Sequence, residues 1–119
     1  MLKIYCYEKC STCQKALKWL DAHGISYESH DIKNNHPDAE TLRKLHTRSN
    51  IPLRKFFNTS GMLYRELGLK DKLPDMSEDE MCQILSSNGM LVKRPLVVAD
   101  NFVLLGFKES EWQDRLFKN

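Results

Sequence analysis

Residues 2–32, LKIYCYEKCSTCQKALKWLDAHGISYESHDI, change their apolar period twice, and that change decides the fold. Leu2 to Cys6 alternate and are rich in strand formers. Cys13, Ala16, Leu17 and Leu20 follow at i, i+3, i+4 and i+7, which predicts a helix with Ser11 or Thr12 as its N-cap and Gly24 placed to end it. Ile25 to Ile32 return to a short strand. Strand, helix and strand in so short a run form a βαβ unit whose two strands are parallel.

Working outward, residues 34–91 carry one helix-start signal after another. Pro37-Asp38 opens a helix bearing Leu42 and Leu45, and Pro52 opens a short one bearing Leu53, Phe56 and Phe57. Ser60-Gly61 starts a third with Leu63, Tyr64 and Leu67. Ser77-Glu78-Asp79-Glu80 reads as a capping box ahead of Met81, Ile84 and Leu85, closed by Asn88-Gly89. Leu96 to Ala99 then read as a buried strand, Asp100-Asn101 as a tight turn and Phe102 to Leu105 as the hairpin partner, before a last helix with Trp112, Leu116 and Phe117. The expectation is an α/β domain spanning residues 1–119, with a four-stranded mixed sheet and a helical insertion at 34–91 between its second and third strands.

A chain of 119 residues with 41% apolar content is the size of one core. Its formal charge of +2 gives no electrostatic case for binding nucleic acid directly or a membrane surface. No apolar run reaches membrane-spanning length, and the start lacks the apolar region of a signal peptide, so the expected location is the cytoplasm. In that reducing compartment the four cysteines, Cys6, Cys10, Cys13 and Cys82, are not read as a structural disulfide framework.

The spacing of Cys10 and Cys13 carries the chemistry. A thiolate is the reactive form of cysteine, and the unpaired N–H groups at a helix start favour it. Cys10 lies just before that start, so its thiol is expected at about 7 or below and is the expected nucleophile. Cys13, one turn on, begins the helix's apolar face and is expected to stay protonated until it resolves the mixed disulfide formed at Cys10. Strand, C-x-x-C, helix and strand in this order is the context of thioredoxin-like redox motifs. A buried structural pair and a zinc site are the alternatives, and zinc lacks a fourth ligand here. No metal is expected, since His23, His30, His36 and His46 follow no ligand spacing. Cys6 is read as a core residue or a modulator of Cys10, and Cys82 as inert, with Trp19 and Trp112 in the core.

Arg94-Pro95 is the second informative place. A proline just before a core strand marks a cis bond, and thioredoxin-type folds hold such a proline against the active cysteines. Arg94 would then stabilise a thiolate or bind an oxyanion, with a surface ion pair as the alternative. Arg54 and Lys93 are weaker candidates of the same kind.

At these residues the chain resembles the arsenate reductase and Spx family, nearest its short members. The resemblance runs through Cys10-Ser11-Thr12-Cys13-Gln14-Lys15-Ala16, Phe57-Asn58-Thr59-Ser60-Gly61, Tyr64-Arg65-Glu66-Leu67-Gly68-Leu69, Lys93-Arg94-Pro95-Leu96 and Gly106-Phe107-Lys108-Glu109. It implies a thioredoxin-like, glutaredoxin-like fold with a helical insertion. In the family's reductases the cysteine matching Cys10 attacks arsenate, arginines matching Arg54 and Arg94 hold the oxyanion, and glutathione with glutaredoxin completes the reduction. On this resemblance the chain is expected to be a thiol oxidoreductase with no bound cofactor, whose electrons come from glutathione, glutaredoxin or another thiol. Cys6 stands where those reductases carry a histidine, and Leu104-Leu105 where they carry a third arginine, so little arsenate turnover is expected. The Spx branch implies the alternative, a redox-switched regulator that binds RNA polymerase.

Overall fold

The computed structural model describes residues 2–117. The sheet has four strands, β1 (Leu2–Cys6), β2 (Tyr27–Asp31), β3 (Leu96–Val98) and β4 (Val103–Leu105), in the order β2-β1-β3-β4. β1 runs parallel to β2, as the crossover through α1 (Ser11–Ala22) requires, and antiparallel to β3, which pairs antiparallel with β4. This is the mixed, thioredoxin-like sheet that the βαβ unit and the final hairpin predict. The hairpin closes through Asp100-Asn101, with the Ala99 N–H donating to the Phe102 carbonyl at 3.0 Å.

Between β2 and β3 lie α2 (Ala39–Ser49), α3 (Met62–Glu66), α4 (Leu69–Lys72) and α5 (Glu78–Ser87), with short 3-10 turns at Leu53–Phe56, Leu73–Asp75 and Gly89–Leu91. Asp38 caps α2 by accepting from the Thr41 N–H at 2.8 Å. Ser77 and Glu80 form the capping box of α5, at 3.1 and 3.2 Å. α6 (Glu109–Phe117) closes the described chain.

Strand parity sorts the sheet's side chains into two cores. Ile4, Cys6, Val97 and Leu104 face α1 and α6, where they meet Cys13, Ala16, Trp19, Leu20 and Trp112. The other face carries Leu96 and Val103 and packs under the insertion with Leu42, Leu45, Phe56, Phe57, Cys82 and Leu85. Trp112 is fully buried and its Nε1–H donates to the Gly106 carbonyl at 3.1 Å, which satisfies its polar atom inside the core.

Three local expectations are corrected. The N-cap of α1 is Cys10 and not Ser11 or Thr12, because Cys10 has the extended conformation of a cap and its carbonyl accepts the Gln14 N–H at 3.1 Å. Phe57 lies outside the short helix after Pro52, and pairs in an antiparallel bridge with Val92. The helix starting at Gly61 ends at Leu67, where Gly68 takes a φ of +63° and starts α4 on a new axis, leaving Leu67 40% exposed.

Candidate redox site

α1 begins where β1 ends, so the helix start is brought directly over the last β1 residue. The intervening loop is tight, with the Cys10 N–H donating to the Tyr7 carbonyl at 3.0 Å and Gln14 Nε2 donating to the Glu8 carbonyl at 2.9 Å. Cys10 is half-buried at its cap position, and its side chain makes no capping bond. Cys13 starts the buried face of α1 and is 1% exposed, while Cys6, on the sheet face beneath it, is 7% exposed. All three thiols are free, and they converge.

The convergence centres on the Cys13 sulfur. The Cys6 S–H, the Tyr7 backbone N–H and the Cys10 S–H all donate to it, and the Arg94 guanidinium adds positive charge nearby. Against the opposing effect of burial, the Cys6 hydrogen bond foremost brings the Cys13 thiol from 9.0 to about 6. The same contact, followed by burial, pushes the Cys6 thiol strongly upward. This direction runs against the expectation that Cys13 stays protonated. The cause is tertiary: Cys6, Tyr7 and Arg94 come to the Cys13 sulfur from the sheet, the loop and the β3 entry.

Arg94 precedes β3 in a cis peptide bond with Pro95, as the sequence predicts. Its guanidinium lies 5.3 Å from the centre of the Tyr7 ring, which ties the β3 entry to the cysteine loop. Its Nη1 donates to Met90 Sδ at 3.7 Å, and its Nε is buried with no hydrogen-bond partner among the described residues. Pro95 is buried, and its carbonyl accepts the Gly106 N–H at 2.9 Å.

Arg54 is placed elsewhere. It is exposed and lines an open groove of about 890 Å³ together with Lys55, Lys70, Lys93 and Lys108, and no cysteine lines that groove. Cys6 and Cys13 instead open on a smaller cavity of about 290 Å³, whose walls include Tyr7, Glu8, Gln14, His30 and Asp31. Thus the structure brings Cys10, Cys13 and Arg94 together, with Cys6 and Tyr7 added and Arg54 left in the groove. Tyr7 was not singled out in the sequence, although its place next to Cys6 at the end of β1 was a usable signal. Cys82 is fully buried in the insertion core, where burial raises its thiol. Among the described residues no group of three or more His, Cys, Asp or Glu side chains is arranged to hold a metal ion, and no helix is long and apolar enough to cross a membrane.

Comparison with known proteins places these features in a wider set. The model of the ArsC family matches residues 5–115. The uncharacterized protein YusI of Bacillus subtilis (strain 168) is 50% identical over 113 residues, covering 95% of this chain and 96% of YusI. A solved structure described as ArsC family related, from Bacteroides fragilis, superposes with a TM-score of 0.92 at 49% identity over 95% of each chain. The global transcriptional regulator Spx of Streptococcus mutans serotype c is 22% identical over 93% of this chain and 80% of its own length.

Proposed function

This chain belongs to the ArsC family, and from that membership and the thiol geometry we propose that it is a thiol–disulfide redox protein working through a Cys10–Cys13 cycle. The observation that carries the reading is the pairing of a half-buried Cys10 at the cap of α1 with a buried Cys13 on which three donors converge. Cys10 is the sulfur a partner can reach, and Cys13 is the sulfur kept in reactive form behind it.

In the proposed cycle the Cys10 proton passes to Cys13 along their hydrogen bond, and the Cys10 sulfur attacks one sulfur of a target disulfide. The target's S–S bond breaks, one thiolate leaves and takes the proton from Cys13, and Cys10 is held in a mixed disulfide. Cys13 then attacks Cys10 Sγ, the mixed bond breaks, and the second target sulfur leaves as a thiolate. Two electrons have moved to the target, and a thiol donor such as glutathione or glutaredoxin returns the Cys10–Cys13 disulfide to the dithiol. Arg94 stabilises charge developing on these sulfurs.

Arsenate is a poor substrate in this reading, because Arg54 lies in the groove and Leu104-Leu105 supply no cation. Each missing charge-assisted bond is worth about 1.5 to 3 kcal/mol. A steady-state assay with arsenate, glutathione and glutaredoxin, run beside one with a small disulfide, tests this. Disulfide reduction with weak or no arsenate turnover is expected, and inactivity toward disulfides would overturn the reading.

A second reading is a Spx-like regulator in which the same disulfide switches binding to RNA polymerase. It is supported by the match to Spx and by the basic groove, whose cations suit an acidic protein surface. Pull-down with RNA polymerase under reducing and oxidising conditions separates the two, since the enzyme reading expects no stable complex in either.

A further inference from the structure

The open groove of about 890 Å³ takes no part in the thiol site, and its walls come from the Pro52 turn, α3, α4, the start of α5, β4 and the start of α6. Five cations line it, Arg54, Lys55, Lys70, Lys93 and Lys108, against two carboxylates, Glu78 and Glu111. The groove therefore holds more net positive charge than the formal +2 of the whole chain, which leaves the rest of the chain with a slight acidic excess. Among the described residues none of these cations has a carboxylate within salt-bridge distance, while Glu78 is turned to His46 at 3.7 Å. Between the cations the floor is apolar. Ile51, Met76, Met81 and Leu105 are half-buried, backed by the insertion core on one side and lining the groove on the other. We propose that this groove docks an acidic peptide segment of a partner protein, whose carboxylates meet the cations and whose apolar side chains seat on that floor. No cysteine lines the groove, so this docking requires neither the thiol cycle nor a switch built on it.

The make-up of the groove selects a peptide over other anions. A nucleic-acid strand needs aromatic faces on which its bases stack, and the Phe57 and Tyr64 rings in the walls are only 1% and 8% exposed. A bare inorganic anion gains nothing from four apolar side chains. A small ligand is ordinarily enclosed on most sides, whereas this groove is open and has room for a length of chain. Acidic and apolar side chains alternating on one segment satisfy both the rim and the floor. The rim cations steer such a partner and set its register, while burial on the floor supplies affinity. Met76 and Met81 suit the floor to varied side chains, because an unbranched thioether adapts its shape. One rim cation is held in place by the backbone: a Cβ at Gly106 would stand 3.1 Å from Lys93 Cε, so the missing side chain there leaves the space that the Lys93 stem occupies.

The test is fluorescence anisotropy of the reduced full chain with a short labelled peptide of alternating glutamate and leucine. The peptide should bind, and its affinity should fall as salt rises. Lys70→Glu combined with Lys108→Glu, both exposed and outside the thiol site, should weaken binding by at least about tenfold. Met76→Ser, which removes part of the floor, should weaken it by about threefold or more. Far-ultraviolet circular dichroism checks that the variants fold. A peptide with lysine in place of glutamate should not bind, and one with serine in place of leucine should bind at least about tenfold more weakly. Binding of the glutamate–leucine peptide that is absent, or unchanged in the charge-reversed pair, overturns the proposal. Equal affinity for the glutamate–serine peptide, or full displacement by inorganic phosphate at matched ionic strength, also overturns it and marks a simple anion site. A tighter complex with single-stranded oligothymidine overturns it in favour of a nucleic-acid groove. Self-association in sedimentation that the charge-reversed pair abolishes overturns it in favour of an interface between copies of this chain.

Discussion

The pH profile of the resolving step follows from the Cys13 environment. A thiol at about 6 is roughly 90% thiolate at pH 7 and roughly 10% at pH 5, whereas one at the ordinary 9.0 is roughly 1% at pH 7. The more acidic thiol is also a weaker nucleophile, by about twentyfold over three units. At pH 7 the gain of roughly ninetyfold in thiolate therefore shrinks to about fourfold in rate, so absolute speed is a poor test. The shape discriminates better. Resolution should rise about tenfold from pH 5 to 8 and level off above 7, while an unperturbed thiol would climb nearly a thousandfold over the same range and still be rising. The assay is stopped-flow release of a chromophoric thiolate from a mixed disulfide preformed at Cys10, with products identified by mass. A rate that keeps climbing about tenfold per pH unit through 7 and 8 would refute the assignment of Cys13 as the sulfur stabilised by convergent donors.

Other perturbations have defined outcomes. Arg94→Met should raise the Cys13 titration by less than about one unit, because its charge is the least of the lowering influences; a rise well above one unit would contradict this order. Folding stability should also depend on pH through Cys13. Its depressed pKa contributes stability that is complete above the unfolded value near 9 and is lost as pH falls through about 6, with a slope of at most about 1.4 kcal/mol per unit. Urea midpoints should accordingly be lower at pH 5 than at pH 8, and Cys13→Ser should reduce that difference. Trp112→Ala removes a fully buried ring and its bond to Gly106, and should cost about 3–5 kcal/mol by chemical denaturation. A loss under about 1 kcal/mol would mean that α6 is not an anchor of the α1 face.

Much of the fold was written in local pattern. The alternation of Leu2 to Cys6, the helical spacing from Cys13 to Leu20 and the return to a strand specify the βαβ unit, and the capping box at Ser77 is observed at the predicted residues. The misplaced features are those that local pattern does not encode. Serine and threonine are better caps than cysteine, so Cys10 was passed over. It takes the position because the tight loop sets its backbone, and its own side chain contributes no cap bond. The break at Gly68 needs a positive φ that the apolar spacing of Leu63, Tyr64 and Leu67 does not announce. At the site, the Cys10–Cys13 pair and the Arg94-Pro95 junction were both readable, since spacing and proline carry their own geometry. The Cys6–Cys13 contact was not. Its two halves were visible, as Cys6 shares parity with Ile4 and Cys13 starts the apolar face of α1. What joins them is the seating of α1 on that sheet face, a long-range fact that also lowers the Cys13 thiol.

Peptide mapping of the mildly oxidised protein addresses the proposed cycle most directly. Treated with a stoichiometric disulfide and digested without reduction, the wild-type chain should yield a single Cys10–Cys13 cross-link, with Cys6 and Cys82 recovered as free thiols. Cys13→Ser should stop at a mixed disulfide on Cys10, and Cys10→Ser should form none. A cross-link joining Cys6 to either partner in preference to Cys10–Cys13, or a wild-type protein that stops at the Cys10 mixed disulfide, would contradict the two-thiol cycle.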